Sequence, residues 1–219
     1  MQKLIDGYRH FRAEVFPKRK DEFHRLADSQ HPQYLFITCS DSRVVPSLIF
    51  ETNPGDMFLC RNAGNVVPPA GERAGGVSAT IEYAVKVLSV PHIIICGHSD
   101  CGAVKATLEP QRLRTLPLVE GWLGMVEKAQ WIAGDITPAS GDDHDKDLRK
   151  RICANVVGQL ANLRTQTAVT EALAAKTLEV HGWYYDIFSG AVEAFIPSER
   201  RFAPLESLAS TGAPAPPPR

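Results

Sequence analysis

Cys39, His98 and Cys101 are the side chains of this sequence whose types and positions best suit a metal ion. Each follows an apolar run: Cys39 comes after Tyr34-Leu35-Phe36-Ile37-Thr38, and His98-Ser99-Asp100-Cys101 after His92-Ile93-Ile94-Ile95-Cys96-Gly97. Two thiolates and an imidazole suit zinc. Structural zinc sites usually take four protein ligands, whereas three leave a position for water or substrate, so this ligand count favours catalysis. Cys101 also opens a helix, where the backbone dipole favours the thiolate form. Close to Cys39 stand Asp41, which can accept a proton or bind a metal, and Arg43, a permanent cation able to keep that carboxylate ionised.

The remaining cysteines and histidines have simpler explanations. A lone H-x-x-C pair also arises where cysteines are buried as small hydrophobes, and it is Cys39 at a second strand end that favours the metal. Cys60 at a strand end, Cys96 within its apolar run and Cys153 on the apolar face of a later helix fit core packing. His10, His24, His31, His92 and His144 have no partner spacing and read as surface or locally satisfied residues. His181, in a strand beside Gly182, suits a structural hydrogen bond better than metal binding.

The surrounding pattern supplies the elements that must hold these groups. Residues 3–30 are charge-rich, with Leu4, Tyr8, Phe11 and Val15 at three- and four-residue steps before Pro17 and with Phe23 and Leu26 after it, which predicts an arm of two amphipathic helices. The run Tyr34 to Thr38 predicts a strand buried on both faces, and Asp56 to Arg61 a second strand after the turn signal Asn53-Pro54-Gly55. Gly75-Gly76 opens a helix with Val77, Ile81, Ala84, Val85 and Leu88 on one face, and the buried strand His92–Gly97 follows Pro91. Strand, helix and strand with apolar strands mark a parallel crossover unit, and ligands collect at the carboxyl ends of such strands, where both reactive clusters fall.

Further along, residues 116–133 read as a helix through Leu116, Val119, Trp122, Leu123, Val126 and Trp131, and residues 134–147 as a solvated acidic loop. Leu148, Ile152, Val156, Leu160 and Leu163 mark a long helix, with a short one over 169–175. Two last strands, 177–183 and 191–196, meet in a hairpin around Ser189-Gly190. The expected fold is α/β: a mostly parallel sheet of about four strands plus a C-terminal edge strand, flanked by helices and preceded by the helical arm. Residues 1–204 form one domain on this reading, and the Ala/Pro-rich residues 205–219 a tail that cannot pack.

At 219 residues and 44% hydrophobic composition the chain has room for a full core. Its net charge of −1, from 24 basic and 25 acidic residues, lacks the basic field that phosphate backbones require, so nucleic acid is not an expected partner. The first residues lack the apolar core of a signal peptide and no run suits a membrane helix, from which a cytoplasmic protein is expected. Five cysteines without an export signal argue against a disulfide framework.

Taken in order, Cys39-Ser40-Asp41-Ser42-Arg43, Arg61-Asn62-Ala63-Gly64-Asn65, Gly75-Gly76-Val77-Ser78-Ala79, Glu82-Tyr83-Ala84-Val85, Cys96-Gly97-His98-Ser99-Asp100-Cys101-Gly102 and His181-Gly182-Trp183 resemble the β-class carbonic anhydrases across about residues 30–190. The resemblance implies one zinc per chain on Cys39, His98 and Cys101, a catalytic dyad of Asp41 and Arg43, and assembly as dimers or larger multiples. It also implies a substrate cleft lined by Gln30, Phe58, Tyr83 and Gly102, the first three from a neighbouring subunit. Strongly regulated relatives hold an inhibitory bicarbonate beside a Trp and a Gly that precede the zinc cysteine by three residues and one; Phe36 and Thr38 stand there, which implies the open, non-allosteric type.

The implied reaction is reversible hydration of CO2 to bicarbonate and a proton by zinc-bound hydroxide. Two other readings use the same residues: hydrolysis of a CO2 analogue such as carbonyl sulfide or carbon disulfide, and a zinc-stabilised, non-catalytic binding protein in which Asp41 completes the metal shell. Two thiolates neutralise much of the metal's charge and leave its water less acidic than three imidazoles do. Hydration activity is therefore expected to rise from about pH 6.5 to about pH 9 in a stopped-flow CO2 assay, and a flat profile over that range contradicts the expectation.

Overall fold

The computed structural model describes residues 1–71, 75–138 and 146–208. The arm comprises α1 (Gln2–His10), a π turn and a 3-10 turn across Phe11–Arg19, and α2 (Lys20–Asp28). Pro17 lies in the 3-10 turn, where its missing N–H and fixed φ break the regular helix as its position predicts. The rings of Phe11, Phe16 and Phe23 meet at centroid distances of 5.3–6.0 Å and fold the arm on itself, whereas Leu4 and Tyr8 stay exposed.

The body contains β1 (Tyr34–Cys39), α3 (Pro46–Ile49), β2 (Met57–Asn62), α4 (Gly76–Lys86), β3 (His92–His98), α5 (Gly102–Ala106), α6 (Pro110–Leu113) and α7 (Pro117–Ala133). It continues through α8 (Lys146–Leu163), α9 (Thr167–Ala174), β4 (Glu179–Tyr185), β5 (Val192–Ile196) and β6 (Arg201–Pro204). The sheet order is β2-β1-β3-β4-β5-β6. The first four of these run parallel, and β5 and β6 extend the sheet antiparallel. The expected parallel core and C-terminal hairpin are present.

β6 goes beyond the single edge strand that was expected. Its short Arg201–Pro204 stretch carries one apolar pair, Phe202 and Ala203, and its place depends on pairing with β5 and on Phe202 packing against Phe195, neither of which a four-residue window reveals. The 134–147 stretch is likewise not all solvated: Ile136 is buried, Thr137 bridges to Arg201, and α8 begins at Lys146. The stretch 139–145, with His144, and the tail residues 209–219 lie outside the described residues. On α7, the expected apolar face is only partly right, since Leu116, Val119 and Trp131 are exposed while Leu123, Val126, Ala129 and Ala133 turn inward. Small alanines set that face because α7 lies against another helix rather than against the sheet.

That neighbour is α8, buried along most of its length between α7 and the sheet. Two glycines permit the layering. A Cβ at Gly158 would run into the backbone of Ala129 on α7, and one at Gly97 on β3 would run into Val156 and Ile152 of α8. Ile152, Val156, Leu160 and Leu163 supply the apolar contacts, as their spacing predicts, and Cys153 is buried among them. Charged groups are also enclosed: Arg149 of α8 pairs with Glu193 of β5 and lies over the Tyr184 ring, 4.6 Å from its centroid. Among the described residues no helix is long and apolar enough to cross a membrane.

Candidate active site

β1 and β3 are hydrogen-bonded neighbours, with Thr38 level with Cys96, so their carboxyl ends deliver Cys39 and His98 side by side. Past His98, Asp100 adopts a left-handed backbone (φ 50°) that turns the chain, and Cys101 caps the N-terminus of α5. One donor atom from each of Cys39, His98 and Cys101 falls within 4.8 Å of the others, and all three residues are buried. The two sulfurs are 3.9 Å apart.

Electrostatics at this cluster point to a cation. The thiol of Cys101 donates to Cys39, which lowers the Cys39 pKa, and the resulting thiolate together with burial drives Cys101 upward. Two sulfurs thus share one proton, a conflict that a cation between them removes by favouring both thiolates. The Gly64 N–H, 3.5 Å from the Cys39 sulfur, and the amides of Ala103 and Val104 at the start of α5 also favour thiolate. His98 donates Nδ1–H to the Ser99 carbonyl at 2.9 Å, an assignment that makes Nε2 the lone-pair nitrogen. That Nε2 is buried without a hydrogen-bond partner among the described residues. A buried acceptor left in this way beside two sulfurs fits a zinc ligand set.

Asp41 and Arg43 form the rim. Arg43 Nε and one terminal nitrogen reach Asp41 Oδ1 and Oδ2 at 3.0 and 2.8 Å, and the Arg43 backbone N–H donates to Oδ1 at 2.9 Å. This fork holds the Asp41 carboxyl well below the usual carboxylate range and raises Arg43. Asp41 Oδ2 also comes within 3.9 Å of His98 Nε2, so the carboxylate overlooks the metal-type cluster without entering it.

The sequence assigns no role to the three groups that hold this rim, although Asp100 and Arg61 stand within the family-like motifs. Asp100 takes Arg43 through its side chain at 3.3 Å and its carbonyl at 3.2 Å, and Lys105 in turn pairs with Asp100 at 3.2 Å. Arg61 spans the Cys39 and Asp41 carbonyls at 3.1 and 2.7 Å. Asp100 and Arg61 are visible as motif residues beside the strand ends, and Lys105 only as the first basic residue after Cys101. Less visible still is the row of buried amides on α8: Asn155 donates to the Gly64 carbonyl, Gln159 accepts from the Val67 N–H, and Asn162 donates to the Val67 carbonyl. These bonds fix the loop whose Gly64 amide faces Cys39.

Of the expected cleft residues, Gly102 adjoins the cluster as the first residue of α5, and open space surrounds the position of an added Cβ. Phe58 and Tyr83 stack on each other at 6.0 Å, but Phe58 is level with Leu35, about 13 Å below the Cys39 end of β1. Gln30 is exposed after α2. Within one chain, no bond or ring contact among the described residues joins these three to the cluster. Cys60 and Cys96 are buried as expected, and burial pushes the Cys96 thiol up to about 12, so it stays protonated.

Against known proteins, the family model described as carbonic anhydrase matches residues 34–192. The chain belongs to the β-carbonic anhydrase family. A carbonic anhydrase of Pseudomonas aeruginosa is 46% identical over 208 residues, covering 94% of this chain and 92% of that relative. Among solved structures, the β-carbonic anhydrase CcaA superposes with a TM-score of 0.85 at 41% identity, over 93% of this chain and 98% of that one. A structure described as one of two tetrameric β-carbonic anhydrases from Sordaria macrospora gives a TM-score of 0.68 at 31% identity, over 88% and 92% of the two chains. This membership makes the chain a lyase, a carbonate dehydratase, built on the same sheet as those relatives.

The α8 amides carry a prediction of their own. Replacing Gln159 by Ala leaves the buried Val67 N–H unpaired, which costs about 1–3 kcal/mol in denaturant unfolding. An unchanged midpoint contradicts the role given to this row.

Proposed function

We propose that this carbonic anhydrase hydrates CO2 reversibly with a zinc ion held by Cys39, His98 and Cys101, and that Asp41 and Arg43 are its catalytic dyad. The observation that carries the reading is the position of Asp41, bound by Arg43 through both oxygens at the edge of a three-donor cluster. Zinc bound there supplies Lewis acidity, lowering the pKa of water at the position three protein ligands leave open. Asp41 Oδ2 accepts a hydrogen bond from the reacting water and aims its lone pair at the CO2 carbon. Because Arg43 keeps the carboxylate ionised, Asp41 acts as an acceptor and not as a proton store. As the new C–O bond forms, a π pair of CO2 moves onto oxygen, and the water's proton leaves to solvent.

The same position of Asp41 favours an open site over the reading in which Asp41 closes the metal shell. Phe36 and Thr38 support the non-allosteric type: Phe36 is buried against Phe50 and Trp183, and the Thr38 hydroxyl donates to the Cys96 carbonyl at 2.8 Å. Arg61 is occupied by the two backbone carbonyls it spans. CO2 and bicarbonate are the small-molecule partners.

Assembly as a dimer or larger multiple accounts for the cleft residues. β2 is an edge strand with Leu59 exposed, the arm presents Leu4 and Tyr8 to solvent, and Tyr83 is half-exposed over Phe58. On this reading Gln30, Phe58 and Tyr83 of one subunit line the approach to the cluster of its partner, with Gly102 leaving room beside Cys101. The named assembly of the Sordaria relatives supports self-association.

Arg43→Ala is expected to lower kcat/KM for CO2 hydration by about 100-fold or more while one zinc per chain is retained, and Asp100→Asn to lower it by a smaller factor. Activity unchanged in Arg43→Ala at full zinc occupancy refutes the dyad, whereas loss of zinc from that variant assigns Arg43 to metal retention instead.

A further inference from the structure

A second group of potential ligands sits at the opposite end of the sheet. His92 opens β3, Glu179 opens β4, and His181 lies two residues further along β4. His92, read from the sequence as a surface or locally satisfied residue, finds its partners across the strands, because parallel pairing sets His92 level with Glu179 and brings His181 onto the same face. His92 Nδ1 and His181 Nε2 are 3.3 Å apart, which bears out a hydrogen bond for His181. Glu179 Oε2 lies 3.7 Å from each of those nitrogens.

From this arrangement we propose that His92, Glu179 and His181 form a second metal site, for a borderline divalent transition cation such as Zn2+, Ni2+ or Cu2+. The three distances define a triangle whose centre is about 2.1 Å from every corner, within the bonding range of zinc to imidazole nitrogen and carboxylate oxygen. An ion therefore fits at these separations once the proton between His92 Nδ1 and His181 Nε2 moves to a far ring nitrogen, with both sides of the triangle left for water. Two imidazoles and a carboxylate suit this class of cation better than Ca2+ or Mg2+, which prefer all-oxygen shells.

The surroundings support the assignment. Burial and the neighbouring His92 hold the His181 pKa below its ordinary value, so the ring is neutral and offers a lone pair near neutral pH. The Tyr34 ring stacks on His92 at 5.8 Å, and the Trp183 ring lies 6.4 Å from His181, which limits reorientation of both imidazoles. The Glu179 N–H donates to the Pro91 carbonyl at 2.9 Å, fixing the two strand starts relative to each other. His92 and His98 are at opposite ends of β3, about 20 Å apart, so an ion here clamps the strand starts without touching the Cys39 cluster.

Calorimetric titration of the full chain with Zn2+ tests the site, with the Cys39 cluster already loaded. The wild type is expected to take up about one further ion per chain. His181→Ala and His92→Ala lose that event, and Glu179→Gln weakens it about tenfold or more, since removing even an outer partner weakens metal affinity about 10–100-fold. CO2 hydration should stay unchanged in all three variants. Should an alanine variant fail to fold, His92→Gln and His181→Gln keep side-chain volume and polarity and are expected to lose the event equally. Absence of a further ion in the wild type through the millimolar range overturns the proposal, as does uptake by the folded variants with wild-type affinity.

Discussion

Parallel pairing of β1 with β3 is the constraint on which the site depends. The thiol and the imidazole come from separate strands far apart in sequence, and the register that sets Thr38 beside Cys96 is what makes their ends coincide. Such pairing requires a crossover, supplied here by α3, β2 and α4, and it buries both strands on both faces. A slip of one residue would send Cys39 to the other face of the sheet and leave His98 and Cys101 without the second sulfur. Because both strands are near-continuous apolar runs, the register is held less by hydrophobic pattern than by positions that fit one neighbour, such as Gly97 beneath Val156 and Ile152.

Around that pairing, two shells of contacts have distinct work. Asp100, Lys105 and Arg61 hold Arg43 and the backbone beside Asp41 at the rim. Beneath it, the amide row of α8 fixes the Gly64 loop that faces the Cys39 sulfur. α8 reaches its position only because Gly97 and Gly158 admit it between sheet and α7. Packing of an apparently ordinary long helix is thereby coupled to the electrostatics of a thiolate.

Much of this was legible in the residues themselves. The strand runs, the crossover, the three donors and the Asp41–Arg43 pair each have a local signature, because buried parallel strands read as apolar blocks and reactive groups gather at their ends. The features without a local signature depend on distant pairing. β6 is four residues that become a strand only against β5, and His92 met His181 only once the register of β3 and β4 was known. Asn155, Gln159 and Asn162 look like the solvent face of a helix until α8 is seen to be enclosed on nearly all sides. Gln30, Phe58 and Tyr83 lie away from their own chain's cluster and are proposed to reach a partner's, a contact between chains that no local pattern encodes.

Cys39, His98 and Cys101 are proposed to hold zinc while Arg43 keeps Asp41 clear of it. Anomalous diffraction at the zinc edge, on crystals grown near pH 8, tests it directly. One strong peak is expected in this cluster, bonded to the sulfurs of Cys39 and Cys101 and to His98 Nε2, with Asp41 still forked to Arg43. A peak elsewhere with none among these three residues contradicts it, and so does an Asp41 carboxylate occupying the fourth position at that pH.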